Sequence, residues 1–357
     1  MRFIKALNSS WDILEPKVGE LDIKNFINLL EDTYISKEEA LFVTSHYASA
    51  LIPLEPLTKK KVFTRLSRDE AFNYLVNNHA CLMSIDSSYY NSSPHTLISF
   101  LIINVGWWIR DYVSDYEDRG SEFHIYPFRP GDNAELIIKS CELRTLKELL
   151  GKAGLNKGLN IYMFLDEALN SVFTTNWASD VRDKYVMLLR ELITYLISKG
   201  ILPIAVFYTR AHDVRRGLLT LRRELEDKVI DVSDRLLMNK LLDRGERSQL
   251  FYVYSRAITN LGIHLVAFYL KVAEGDIVRV EFPYEALDDV DTIHKVVLSA
   301  IILGNGFPLP MIRAHEEAVI TYDLRRFIDE EISRRLKLPS PELLMSGKAR
   351  SKRWGLV

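Results

Sequence analysis

The chain has 357 residues, 48% of them hydrophobic and 26% charged, with a formal net charge of −2 at pH 7. That is enough apolar material for one large or two modest folded domains, while the near-neutral balance excludes a global basic field as the means of attracting nucleic acid. The richest apolar run, residues 97–109, is short and broken by Asn104 and Gly106, so no membrane-spanning helix is expected. The start, Met1-Arg2-Phe3-Ile4-Lys5, carries no long apolar leader, and the expected location is the cytoplasm. Cys81 and Cys141 both fall inside apolar elements and read as small buried hydrophobes rather than as a disulfide or metal pair.

Residues 1–78 read as a mostly helical region. Apolar spacing predicts a helix over 22–31; Ser36 with Glu39 forms a capping box, residues 51–56 break the pattern with two prolines, and 67–77 read as a further helix. No chemistry-bearing cluster occurs here, so a packing role is expected, with partner or dimer contacts as the alternative.

The middle of the chain is more informative. Apolar runs predict strands at 81–85, 97–105 and 122–128; Asp132 or Asn133 caps a helix over 134–150 that Gly151 stops. A short strand follows at 161–165, then a helix over 180–199 capped by Asp180 and ended by Gly200, then a strand at 202–208. Three neighbouring strands followed by two helix-crossover units are the ribonuclease H-like succession, a mixed sheet with helices on its faces. Beyond residue 209, helices are expected at 214–225 and 233–242, alternating strands at 251–254, 263–270 and 276–282, and helices at 286–303 and 322–336. The expected organisation is a helical N-terminal region (1–78), a ribonuclease H-like domain (79–321) elaborated at its C-terminal end, and a last helix with a basic tail (322–357).

Three carboxylates stand where such a sheet needs them. Asp86 and Asp166 each end an apolar run, 81–85 and 161–165, and Glu142 shares a helix side with Ile138, Leu146 and Leu149. A strand-end Asp by itself starts a turn or caps a helix. A sheet-facing Glu needs a cation, which is either a metal ion or a buried Arg or Lys. Together the three can converge on divalent cations, whose bound water is the usual nucleophile for cutting phosphodiesters. His315, after the turn 306–310, can ligate such an ion or move a proton, although a lone His at a helix start is more often structural. Arg210, Arg215 and Arg216 lie in one basic segment and are candidates for DNA phosphates, against the plainer reading of a solvated helix face. No Walker loop, dinucleotide fingerprint, nucleophile elbow or zinc-spaced Cys/His set occurs.

From about residue 82 to 321 the chain resembles the NurA family, archaeal and bacterial nucleases with a ribonuclease H-like core. Asp86-Ser87-Ser88 is similar to the family's first Asp-Gly-Ser motif, the helix around Glu142 to its metal-ligand helix, and Asp166-Glu167-Ala168-Leu169 to its second motif, Asp-Gly-Ser-Leu. Gly245-Glu246-Arg247-Ser248, Arg279-Val280-Glu281-Phe282-Pro283 and the turn Gly306-Phe307-Pro308-Leu309-Pro310 leading to Ala314-His315 are also similar. The motifs have lost glycines, and Phe307 stands where relatives often carry Tyr. The resemblance implies a homodimeric nuclease that binds one or two Mn²⁺ or Mg²⁺ ions at Asp86, Glu142, Asp166 and His315. It implies endonuclease action on single-stranded DNA and 5′-to-3′ exonuclease action on single- and double-stranded DNA. The implied work is resection of double-strand breaks at the nucleoid, beside the hexameric ATPase HerA and the Mre11–Rad50 proteins. The alternatives are a catalytically weakened DNA-end adaptor for such an ATPase, or a metal phosphoesterase acting on RNA.

Overall fold

In this computed structural model the described residues are 20–56, 62–91, 99–129, 131–152, 158–171, 174, 176–209, 211–259, 261–335 and 337. In chain order the elements are α1 (Glu20–Glu31), α2 (Lys37–Ala40), β1 (Ser49–Pro53), β2 (Val62–Phe63), α3 (Arg68–Asn77), β3 (Ala80–Asn91), β4 (Phe100–Asp111) and β5 (Glu117–Pro127). There follow α4 (Ala134–Lys152), β6 (Asn160–Leu165), α5 (Ser179–Ser198), β7 (Ile201–Phe207), α6 (Asp213–Leu221), α7 (Asp234–Leu241), β8 (Glu246–Arg247), β9 (Phe251–Ser255), α8 (Arg256–Thr259), β10 (Leu265–Ala273), β11 (Asp276–Pro283), α9 (Val290–Leu303), α10 (Leu309–Ala318) and α11 (Tyr322–Arg335). Contacts divide the chain into two interleaved units: Met1–Arg65, Ala168–Thr175 and Ala205–His294 in the first; Leu66–Glu167, Asn176–Ile204 and Lys295–Val357 in the second. β7 and α9 each contribute residues to both units.

In the second unit the strand order is β7-β6-β3-β4-β5. β3, β4 and β5 form an antiparallel meander, and β6 runs parallel to β3. With α4 between β5 and β6, and α5 between β6 and β7, this is the expected ribonuclease H-like arrangement of a mixed sheet flanked by helices. The first half of β3 is wholly buried and its second half is not, which explains why the apolar run marks only part of the strand. Asn133 is the cap of α4: its side chain accepts from the Leu136 amide at 3.0 Å. The helix runs past Gly151 to Lys152. Asp180 is not a cap, since α5 begins at Ser179, and its carboxylate instead lies in the first turn.

The first unit sets β1, β9, β10, β11 and the end of β7 side by side. The Ser36–Glu39 capping box is present at α2. Residues 51–53, expected as a break, belong to buried strand β1, paired with β9; Pro53 closes that strand, where a missing N–H is tolerated. The expected helix over 214–225 ends at Leu221 and passes into a 3₁₀ turn, Arg223–Lys228.

This core is held by charge as well as by apolar packing. Arg279, fully buried in β11, donates to Asp213 at 2.8 Å and lies 2.6 Å from Glu281. Glu281 also accepts from the Asn170 side chain at 2.7 Å. Asp234 receives the Asp213 and Val214 amides at the start of α6, each at 3.0 Å, and the Tyr269 hydroxyl at 2.6 Å. Burial and the neighbouring Asp213 push the Asp234 carboxyl up to about 7; burial would raise Asp213 too, but Arg279 holds it below the ordinary range. The family-like motif at 279–283 is thus a structural ion network. Replacing Arg279 by Met leaves Asp213 and Glu281 buried without their cation. Urea denaturation should show a loss of about 3–5 kcal/mol.

Candidate metal centre

The parallel pairing of β3 and β6 ends at Ser84 opposite Phe164. Two residues further along each chain stand Asp86 and Asp166, so the register carries both carboxylates to the same level and the same face. Asp166 directly follows β6, as expected. Asp86, expected at a strand end, lies inside β3, because the hairpin with β4 continues to Asn91.

Two helices bring the other candidates, one to each face. Asp86 is paired across the hairpin with Gly106 of β4. A Cβ built on Gly106 would come within 2.6 Å of the Ala314 carbonyl oxygen and 2.4 Å of the Ala318 nitrogen, so only glycine lets α10 lie this close to the sheet. Asn104, buried two residues earlier, donates to the last carbonyls of α10, Glu317 and Ala318, at 2.9 Å each. Seated there, α10 holds His315 Nδ1 2.7 Å from Asp86 Oδ2. The next residue of β3, Ser87, points to the opposite face. Its hydroxyl donates to Glu142 Oε1 of α4 at 2.5 Å, and its amide donates to Asp86 Oδ1 at 2.7 Å.

Glu142 therefore faces the sheet, as its helix position predicts, and it already has a cation. Lys139, one turn earlier, donates to Glu142 Oε2 at 2.6 Å and also pairs with Glu167. Glu167 in turn accepts from the buried Tyr185 hydroxyl at 2.5 Å. Two cavities meet at this point. One of about 180 Å³ is lined by Asp86, Asp166, Glu142, Lys139, Glu167 and Tyr185, among others. The other, about 190 Å³, is lined by Asp86, Asp166, Phe307, Met311 and His315. Asp86 and Asp166 form the wall common to both.

Among the described residues, no three His, Cys, Asp or Glu side chains already stand as the ligand set of an ion. The donors nevertheless fit one. Carboxylate oxygens with an imidazole are what Mn²⁺ and Mg²⁺ accept. Burial, then the nearby charges of Asp86 and Glu142, push the Asp166 carboxyl up to about 6. Lys139 offsets only part of this crowding of carboxylates, and a divalent ion would supply further positive charge.

A NurA-domain family model matches residues 82–320. The chain belongs to the NurA family. The match spans all four candidate ligands of this NurA-family nuclease. Among solved structures, the chain is similar to a crystal structure of NurA at TM-score 0.44 and 12% identity, over 74% of this chain and 90% of that one. A crystal structure of NurA bound to dAMP and manganese matches at TM-score 0.40 and 12% identity, over 76% and 94%. Endonuclease V from Bacillus subtilis matches at TM-score 0.36 and 12% identity, over 74% and 92%. No curated protein matches the chain.

Arg210 and the basic tail lie outside the described residues. Arg215 and Arg216 sit on α6, in the first unit, whereas the acids are in the second. Arg215 donates to the Val229 carbonyl at 3.3 Å, and Arg216 to Asp213 at 3.0 Å. Sequence reasoning missed Lys139 and Glu167, although one lies three residues before Glu142 on its helix and the other directly follows Asp166. It read Gly106 only as an interruption of an apolar run.

Two outcomes follow from this geometry. Gly106→Ala, which pushes α10 off the sheet, should cost about 1–3 kcal/mol in urea denaturation. His315→Ala should cost under about 0.5 kcal/mol, since that side chain is 65% exposed. The raised Asp166 carboxyl is favoured protonated in the folded chain, so its contribution is present below about pH 4 and lost as pH rises through about 6. Metal-free Asp166→Asn should therefore be more stable than the parent at pH 7, by on the order of 3 kcal/mol, with the gap closing by pH 4.

Proposed function

We propose that this NurA-family protein is a Mn²⁺- or Mg²⁺-dependent deoxyribonuclease. The observation that carries the reading is the convergence of Asp86, Glu142 and Asp166 on one cavity, with His315 joined to Asp86 from the opposite face. When bound, a divalent ion activates water for in-line attack and stabilises the leaving oxygen. Asp86 and Asp166, which line both cavities, would hold the ion; His315, bonded to Asp86 through Nδ1, would orient that carboxylate and could add an imidazole ligand. Glu142, braced by Ser87, completes the acidic set from α4.

Arg210, with Arg215 and Arg216, is proposed to meet DNA phosphates in a largely sequence-independent way. The reading extends to endonuclease action on single strands and 5′-to-3′ exonuclease action, within break resection. A homodimer would work with HerA, which supplies the ATP hydrolysis for which this chain has no Walker loop, and with Mre11–Rad50 at the nucleoid. Among the described residues no helix is long and apolar enough to cross a membrane.

The test is cleavage of end-labelled single-stranded DNA, double-stranded DNA and RNA across a Mn²⁺ titration. Asp86→Ala and Asp166→Ala should fall to the metal-free background while keeping the parent's circular dichroism spectrum. A fully active Asp166→Ala protein would refute the assignment. A parent chain that binds DNA ends without cutting them at any Mn²⁺ concentration would favour the adaptor reading, to which the ion-paired Glu142 lends weight. Cleavage of RNA alone would favour the phosphoesterase.

A further inference from the structure

Lys139 is an unusual neighbour for a cation site. Its side chain is only 6% exposed, and its ammonium lies between Glu142 and Glu167. Burying an ammonium is costly unless anions surround it, so the chain keeps this charge inside at some expense. Both oxygens of Glu142 are engaged, one by the Ser87 hydroxyl and the other by Lys139. Glu167 is closed in the same way, by Lys139 on one oxygen and Tyr185 on the other. On the far side of Asp86 and Asp166 the lining is Phe307, Met311 and His315, with no lysine or arginine in it. The two sides of the shared carboxylates are thus unlike: one already contains a cation and the other does not.

Resting on the proposed metal centre, we infer that Lys139 is a tethered cation standing in for one divalent ion, so that this centre takes up a single ion, at Asp86 and Asp166 on the His315 side. A divalent ion on the Glu142 side would have to share the Glu142 carboxylate with an ammonium already in contact with it. That repulsion is weakly screened away from bulk water. Lys139 acts through Glu142 and the ion count, and is a positioning residue. The pairing is shared with Glu167, the residue directly after Asp166.

The test counts bound Mn²⁺ per chain by equilibrium dialysis with electron paramagnetic resonance, on the full chain at saturating metal. Asp166→Ala measured in parallel reveals ions bound elsewhere, which are subtracted. The parent chain should hold one Asp166-dependent ion, and Lys139→Met should hold two. Lys139→Met combined with Glu167→Gln, which neutralises one of the two carboxylates that Lys139 pairs with, should also hold two and keeps the test open if the single variant does not fold. Lys139→Arg, which retains the cation, should stay at one. Two ions in the parent, or one in both Lys139→Met proteins, would overturn the inference and leave the metal centre standing. No Asp166-dependent ion in the parent would instead overturn the metal centre itself, and this inference with it. A lysine with a purely structural role would change stability in these variants without changing the count.

Discussion

Like charges forced together at the end of a parallel strand pair are the constraint on which this site depends. Ser84 and Phe164 are the last paired residues of β3 and β6, and Asp86 and Asp166 stand level beyond them. No helix packing or loop conformation is needed to bring these two acids together; the backbone register does it. The cost is electrostatic. Asp166 is buried beside Asp86 and Glu142, and its raised proton affinity expresses that cost. Stability is spent on a cluster that a divalent ion can relieve, which is how a functional site differs from an ordinary core.

Around that register the two faces of the sheet are used differently. On the Asp86 face, a missing side chain at Gly106 and the amide of Asn104 seat α10 so that His315 reaches Asp86. On the Ser87 face, α4 delivers Glu142 together with its own counter-ion, Lys139. One face presents an exposed imidazole, and the other a buried ammonium clasped by two carboxylates. The asymmetry follows from the pleat, since adjacent residues of β3 point in opposite directions. The first unit uses buried charge for another purpose. Arg279 lies between Asp213 and Glu281, and Asp234 takes up the first amides of α6, so charge here braces a sheet.

Much of this was legible without coordinates. The strand and helix succession from residue 80 to 207 followed from apolar runs, caps and breakers, because those signals are local. The inward aim of Glu142 followed from helical spacing with Ile138 and Leu146. What failed were boundaries and exceptions: β3 runs on past its apolar half because hairpin pairing holds polar residues in a strand, and β1 forms where prolines suggested a break. The sequence also left open whether Glu142 faced a metal or a basic side chain, and Lys139 answers for the second without removing the first.

The sequence alone determined which side chains have donor chemistry for a divalent ion and which segments are strands or helices, because residue type and short-range periodicity act within a few positions along the chain. Tertiary structure decided which of those donors meet. Asp86 and His315 are 229 positions apart, and Glu142 and Ser87 are 55 apart. Their contacts depend on a close approach at Gly106 and on the pleat of one strand. The partition of charge between Lys139 and the acids was likewise settled only by packing, since the worth of a buried ion pair depends on the water excluded around it.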